Sequence, residues 1–179
     1  MLQQLILVDE NDLPVGLMEK MKVHQLGIMH RAFSVFIFNM EGEMLLQQRA
    51  LTKYHSGGLW TNACCSHPYE GQEILHAAKQ RLFEEMGFTT TIQKAFHFKY
   101  KASFENGLTE NEFDHVFVGL YNGKIKPDAN EVEDYCYMAV EVVRRDIDLH
   151  PEKYTEWFKI AFPLIENYLA ENFNAIFTK

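Results

Sequence analysis

The sequence predicts a mixed α/β sandwich: a single domain in which a mixed β-sheet packs between helices. Two observations carry this prediction. β-prone runs stand on both sides of one strongly periodic helix, and no repeat, low-complexity tract or linker interrupts the chain. The length of 179 residues and the hydrophobic share of 47% suffice for one well-packed core, so we expect residues 1–179 to form one domain.

The first half of the chain predicts strands joined by turns that are rich in polar residues, Gly and Pro. Four β-prone segments precede a loop at residues 56–60: 4–8 and 14–18, which form a hairpin, then 32–39 and 44–49. The loop leads into a short segment that contains Cys65.

The clearest helix extends from about Gln72 to Met86, and Gly87 ends it. Its apolar residues form one stripe at helical spacing: Leu75, Ala78, Leu82 and Met86. Arg81 and Glu85 lie one turn apart at the edge of this stripe. Glu85 is therefore either half of an Arg–Glu pair on the helix flank, which the spacing alone favours, or a semi-buried metal ligand.

The second half predicts further strands at about residues 92–103, 112–121 and 133–142. Two helical segments follow, the second from about Lys153 to Phe173. The apolar stripe of that last helix comprises six residues: Trp157, Ile160, Ala161, Leu164, Ile165 and Leu169.

Charge and composition narrow the classes of function. A net charge of −8 argues against nucleic acid as a partner. No apolar run reaches the roughly 18 residues that a membrane span requires. The chain has three cysteines, an odd count with two of them adjacent, which argues against a disulfide framework and for a cytoplasmic protein.

Four basic residues lie near the polar motifs of the chain: Lys20, Arg49, Lys53 and Arg81. Scattered Lys and Arg usually form a solvated surface. A local cluster of them could instead attract an anionic small molecule, and composition alone does not decide between the two.

A thiol, an imidazole and two carboxylates are the strongest chemical signal in the chain. Cys65 and His67 flank one residue, so both point to the same side of an extended segment. Glu110 and Glu112 have the same spacing at the start of an apolar strand. Two carboxylates facing a core would repel each other unless a cation holds them, whereas on an edge strand they would face water. Together with Cys65 and His67, the pair favours a metal site.

Six segments in a fixed order carry a family resemblance from about Lys20 to Trp157: residues 30–39, 48–53, 58–68, 84–87, 98–102 and 110–112. They include Gly-Leu-Trp-Thr-Asn-Ala-Cys-Cys-Ser-His-Pro at 58–68 and Glu-Asn-Glu at 110–112. With these segments the chain resembles the Nudix superfamily and, within it, the type I isopentenyl-diphosphate isomerases. The resemblance implies a Nudix-like sandwich.

The Nudix hydrolase box is only partly present. Aligned on Gly87, the chain keeps Gly71, Glu84 and Glu85. Where the box has Gly, Glu, Arg and Glu, this chain has Ser66, Gln72, Gln80 and Arg81. The loss of two carboxylates weakens a hydrolase interpretation and suits a site that holds a diphosphate without cleaving it.

The resemblance implies an isomerase that interconverts isopentenyl and dimethylallyl diphosphate by a 1,3-proton shift through a carbocation. It assigns the proton transfers to Cys65 and Glu112, with Tyr100 hydrogen-bonded near the carboxyl group. Cys64 would point to the opposite side of an extended segment, and we interpret it as a small buried hydrophobe.

The resemblance also implies two metals and a substrate site. The first metal, Mn²⁺ or Zn²⁺, would be held by three imidazoles and two carboxylates: His24, His30, His67, Glu110 and Glu112. A Mg²⁺ ion would take Glu85 and the backbone carbonyl of Cys65. The isoprenyl diphosphate substrate would contact the four basic residues named above, and Trp157 would present its ring to the carbocation.

Two other classes of function stay open: a Nudix diphosphohydrolase and a non-catalytic Nudix-like binding domain. The first would release phosphate, and the second would have no need to keep Cys65, His67 and the Glu pair together. We expect a cytoplasmic monomer whose partner is the small-molecule substrate, with no nucleic acid or membrane involved.

Overall fold

The computed structural model describes residues 3–177, without the side chains of residues 173–175. Residues 1–2 and 178–179 of the expected domain lie outside this range. The strands β1 to β9 are Gln4–Val8, Pro14–Glu19, His30–Phe38, Glu43–Arg49, Trp60–Asn62, Cys64–Ser66, Ile92–Ser103, Thr109–Leu120 and Val132–Ala139. The helices α1 to α4 are Lys20–Leu26, Ile74–Met86, Val140–Leu149 and Glu156–Phe177. Within this range, no helix has both the length and the apolarity required to cross a membrane.

The strands form one mixed sheet around β3. On one side β3 pairs in parallel with β8, from His30 opposite Glu112 to Phe38 opposite Leu120. On its other side β3 pairs antiparallel with β6, where Ser34 lies opposite Cys65. β7 pairs with β8 and extends the sheet on that side. β1 and β2 join the sheet near the start of β3. β4 joins at the end of β3, and β5 and β9 pair with β4. The residues at the start of β3 and β8 are thereby brought side by side.

Alternate residues of β3 supply two hydrophobic cores on opposite faces of the sheet. Phe33, Val35 and Ile37 pack in a cluster with buried residues of α2. Phe36 and Phe38 pack in the other cluster with buried residues of α4. Each fully buried side chain of this size contributes about 1.5–3 kcal/mol relative to an exposed one. The predicted mixed sheet between helices is confirmed.

Most elements agree with the sequence-based prediction. The strand predicted at 92–103 has these bounds, and the hairpin at 4–8 and 14–18 is present with one more residue in β2. The helix predicted from Gln72 begins at Ile74, because the Glu73 carboxylate accepts the backbone N–H groups of Leu75 and His76 and caps it.

Three parts of the sequence-based prediction need correction. Residues 140–142 continue into α3 rather than extending β9, because their side chains belong to an amphipathic helix that buries Val143. Helix α1 was not predicted from the sequence. In α4, Ile160 and Leu164 are 37% exposed, and Phe158 and Phe162 fill the apolar face instead.

Gly87, at the end of α2, provides a test of this architecture. Its φ of 73° lies in the left-handed region, and a Cβ there would lie 2.0 Å from the carbonyl oxygen of Lys126. Backbone strain and this clash together should make Gly87→Ala lower the free energy of unfolding by at least about 2 kcal/mol, measured by urea unfolding.

The control is Gly42→Ala. Gly42 has a φ of 80°, and no atom lies within 4 Å of the position that a Cβ would take, so this variant should lose only about 1 kcal/mol. Equal losses in the two variants would show that the contact between Gly87 and the Lys126 backbone is unimportant.

Candidate active site

Three imidazoles and two carboxylates converge at the end of the sheet where β3 and β8 begin. They are all buried, and one ligand atom from each lies within 4.8 Å of the others: His24, His30, His67, Glu110 and Glu112. Nε2 of His67 lies 2.9 Å from Oε1 of Glu112, and Nε2 of His24 lies 3.2 Å from Oε2 of Glu110. The structure thus brings together the whole ligand set that the resemblance implied for the first metal.

Sheet register and one short helix produce this convergence. The parallel pairing places His30 beside Glu112, and the period of two places Glu110 on the same face. His24 comes from α1, which Gly27 ends with a φ of 61°, so that the chain turns back into β3. His67 directly follows β6.

The donor set fits a divalent cation. Nδ1 of His24 lies 2.6 Å from the carbonyl oxygen of Lys20, and Nδ1 of His30 lies 2.9 Å from that of Ile28. These Nδ1 atoms must therefore donate, which leaves lone pairs on Nε2 in the neutral rings. Nε2 of His24 and Oε2 of Glu110 are buried without a hydrogen bond. A divalent cation would satisfy these lone pairs and both carboxylates together.

The protonation states support this interpretation. Burial lowers the pKa of the His67 imidazole to about 4, so this ring is neutral near pH 7, as a metal ligand must be. Burial alone would raise the pKa of the Glu110 carboxyl. The neighbouring imidazoles of His24 and His55 nevertheless hold this pKa well below its ordinary value.

The Cys65 thiol lies on the same face as this cluster, in a polar setting that holds it in place. Sγ lies 3.0 Å from Oδ1 of Asn62 and 3.5 Å from Oγ of Ser34. The Asn62 amide donates to the carbonyl oxygens of Val35 and Cys64, which leaves only its oxygen to face the thiol. Burial raises the pKa of the Cys65 thiol to about 12, so it is protonated near pH 7.

Cys64 has the opposite environment. It is fully buried and packs in the α2 core, as the alternation along an extended segment predicted. The two adjacent cysteines therefore differ in kind: one thiol faces the candidate site, and the other fills the hydrophobic core.

Two neighbours orient the Glu112 carboxylate. The Tyr100 hydroxyl donates to Oε2 at 2.7 Å, and Nε2 of His67 lies 2.9 Å from Oε1. Burial raises the pKa of the Tyr100 phenol well above its ordinary value, so the phenol remains a donor.

A pocket beside the cluster collects the remaining predicted residues. Its walls include Cys65, Glu112 and Tyr100 together with four basic side chains, an aromatic ring and a helix carboxylate: Lys20, Arg49, Lys53, Arg81, Trp157 and Glu85. The guanidinium of Arg49 lies 5.1 Å from the centre of the Trp157 ring. The basic residues thus form a local cluster rather than a scattered surface.

Glu85 and Arg81 form the ion pair that their helical spacing favoured. Nη2 of Arg81 donates to Oε1 of Glu85 at 2.7 Å, and Nε2 of Gln47 donates to Oε2 at 3.1 Å. Glu85 is only 5% exposed and also lines the pocket. Glu85 is therefore half of an ion pair and also lies where a semi-buried ligand was expected, so the two alternatives do not exclude each other.

Sequence reasoning missed several residues around the site. The clearest are Ser34, His55, Asn62, Asp114 and Glu131. Oγ of Ser34 donates to Oδ2 of Asp114 at 2.7 Å, and the Glu131 carboxylate pairs with Lys53. Asp114 continues the period of two from Glu110 and could have been found by that signal. His55 and Glu131 lie outside the strands, where no periodicity indicates them.

Comparisons with known proteins show which family this chain is similar to. A family model described as the NUDIX domain matches residues 28–158. A protein of Pectobacterium atrosepticum named isopentenyl-diphosphate Delta-isomerase is 44% identical over 93% of this chain and 93% of its own length. A protein of Serratia proteamaculans with the same name is 47% identical over 87% of each chain.

Solved structures with low sequence identity share the fold. DR0079 from Deinococcus radiodurans superposes with a TM-score of 0.69 at 16% identity, covering 83% of this chain and 90% of that one. A MutT protein from Methanosarcina mazei Go1 gives a TM-score of 0.64 at 18% identity, covering 80% and 95%.

The cluster predicts that one carboxylate charge controls metal retention. Glu110→Gln removes a negative charge and a ligand oxygen, so purified protein should lose most of its bound divalent metal, measured by elemental analysis. Glu105→Gln is the matched control, because Glu105 is exposed in the turn between β7 and β8. Equal metal content in both variants would contradict a role for Glu110 in metal binding.

Proposed function

Because this chain belongs to the Nudix family and, within it, to the isopentenyl-diphosphate Delta-isomerases, we propose that the pocket is the catalytic centre of that isomerase. The activity is the interconversion of isopentenyl and dimethylallyl diphosphate, a 1,3-proton shift that moves one carbon–carbon double bond. We further propose that residues 1–179 are one catalytic domain.

One observation supports the mechanism most directly: a thiol and a carboxylate line the same pocket as a cluster of basic side chains. An unactivated alkene is a weak base, so its protonation requires a positioned acid and a site that excludes water from the developing tertiary cation. A second group must then remove a proton from another carbon. Cys65 and Glu112 are suited to these two tasks.

In this mechanism, one of the pair donates a proton to the terminal methylene of isopentenyl diphosphate. The other removes a proton from the carbon next to the ester-bearing carbon. Asn62 and Ser34 hold the Cys65 thiol, while Tyr100 and His67 hold the Glu112 carboxylate. The reverse reaction uses the same two groups in the opposite sense.

We propose that the five-residue His/Glu cluster holds Zn²⁺ or Mn²⁺, since imidazole and carboxylate ligands suit both ions. Bound there, such an ion would offset the buried negative charge and lower the proton affinity of the Glu112 carboxylate. Mg²⁺ would take Glu85 and the backbone carbonyl of Cys65 together with diphosphate oxygens, because it prefers oxygen ligands.

Lys20, Arg49, Lys53 and Arg81 would bind the diphosphate, the arginines with forked donors. Trp157 would face the hydrocarbon end of the substrate. Its aromatic face would stabilise a carbocation by about 2 kcal/mol or more in a desolvated site.

The helix of the Nudix box supports isomerisation over hydrolysis. Gln72 and Gln80 hydrogen-bond to each other at 3.0 Å, and Arg81 donates to both Glu84 and Glu85 at 2.7 Å. The amide of Gln72 and the cation of Arg81 thus take the place of two carboxylates that a hydrolase would use to gather further metals.

We also propose that the protein acts as a cytoplasmic monomer. Its cysteines are free thiols within the described residues, which suits a reducing compartment. Side chains of a single chain supply all the roles assigned above.

The two adjacent cysteines give the first test of this function. Cys65→Ala should lower turnover about 100-fold or more, since it removes one of the two proton-transfer groups. Cys64→Ala should retain most activity and lose only about 1 kcal/mol of stability, because that thiol serves packing. Initial rates with isopentenyl diphosphate and circular dichroism of both variants provide the measurement. Similar rates would show that Cys65 is not a proton-transfer group.

Solvent labelling tests the reaction itself. Isopentenyl diphosphate incubated with enzyme and magnesium in heavy water should give dimethylallyl diphosphate with deuterium in the methyl group that was the terminal methylene. Repeated reversal should then exchange hydrogen at the carbon next to the ester-bearing carbon. Mass spectrometry and NMR detect both labels.

Phosphate should stay at background during this incubation, because neither proton transfer breaks the ester. Steady release of phosphate or diphosphate without a deuterated product would assign the protein to the hydrolases. Absence of both signals would favour a binding domain.

A further inference from the structure

His55 is a buried imidazole at the candidate site to which neither the proposed proton transfers nor the proposed ligand set assigns a role. It lies in the loop between β4 and β5, is 8% exposed and lines the pocket. Its Nε2 atom lies 3.0 Å from Oε1 of Glu110. Glu110 is one of the five cluster residues, so His55 contacts the candidate metal centre without being one of its five residues.

The two oxygens of Glu110 have different surroundings. Oε1 faces His55, whereas Oε2 lies 3.2 Å from Nε2 of His24 and 3.8 Å from Nε2 of His30. Oε2 is buried without a hydrogen bond. A hydrogen bond from His55 to Oε1 therefore orients Oε2 toward the imidazole lone pairs, where a cation would bind.

The His55 ring is itself held on several sides. It stacks on Phe104 with ring centres 4.9 Å apart and planes 13° from parallel, and it meets the rings of Tyr54 and Trp157 edge to face. Nδ1 lies 3.2 Å from Oγ of Ser56, which can donate to it. This arrangement suits a proton on Nε2, the atom that faces Glu110.

We propose that His55 is a positioning residue of the metal centre, which acts by fixing the Glu110 carboxylate so that Oε2 is the metal-binding oxygen. This inference rests on the metal site in the proposed function and adds a sixth side chain to it. Residues that orient metal ligands in this way typically change metal affinity or activity by about 10- to 100-fold when they are replaced.

Three substitutions separate the hydrogen bond from the aromatic packing. His55→Phe keeps a ring for Phe104 but removes the donor. His55→Gln keeps an amide nitrogen near the position of Nε2, and His55→Asn has the same amide one methylene short of Glu110. His76→Ala, on the exposed face of α2, is the control.

The measurement is the affinity of metal-stripped protein for Zn²⁺ and Mn²⁺, obtained by chelator competition without substrate. Circular dichroism checks the fold of each variant. We expect His55→Phe and His55→Asn to bind metal about 10- to 100-fold more weakly, and His55→Gln to recover most of the affinity. If His55→Phe does not fold, the comparison of Gln with Asn still tests the donor.

Unchanged affinity in both His55→Phe and His55→Asn would overturn the role of His55 while leaving the metal site intact. An equal loss in His55→Gln and His55→Asn would also overturn it, since packing rather than donation would then be responsible. Wild-type protein that binds neither metal would overturn both this role and the proposed His/Glu metal centre. Solvent labelling would still test the isomerase activity independently.

Discussion

The parallel pairing of β3 with β8 governs both the hydrophobic cores and the polar site. It sets His30 beside Glu112, and the alternation of side chains along β3 sends Phe33 and Phe36 to opposite cores. Because side chains alternate along a strand, a shift of β8 by one residue would turn the Glu112 carboxylate to the opposite face of the sheet and bring Phe113 toward the polar site. Burial of the two cores therefore also fixes the geometry of the polar cluster.

This geometry gathers groups of opposite charge around one pocket. The carboxylates of Glu110 and Glu112 are held among imidazoles and a phenol, while Arg49 and Lys53 lie on the walls nearby. Two buried carboxylates this close would be costly without compensation, and the imidazole lone pairs add to that cost. A bound cation would resolve both problems, and the basic residues of the same pocket would meet the proposed diphosphate.

The comparisons separate fold from chemistry. Structures at 16–18% identity share the Nudix fold with this chain, whereas relatives at 44–47% identity carry the isomerase name. A fold of this kind supports different reactions because function resides in a few side chains placed on it. In the proposed function, the distinguishing features are the Cys65 thiol held by Asn62, and Arg81 on the helix where the hydrolase box has a carboxylate.

The amino-acid sequence was sufficient to assign residues to the faces of the elements, because periodicity is a local property. It placed Cys65 and Cys64 on opposite sides, Glu110 and Glu112 together, and Glu85 at the edge of a helix stripe. The family resemblance supplied the list of candidate metal ligands, and the fold brings these residues together. The contacts of the loops and the distances between elements depend instead on tertiary packing. The approach of His55 to Glu110 depends on how a loop without periodicity packs against strands that are distant in sequence. The position at which β9 ends depends on the packing of the next helix, α3, which buries its residue Val143. Neither is encoded in the spacing of neighbouring residues, since both follow from packing across the sheet.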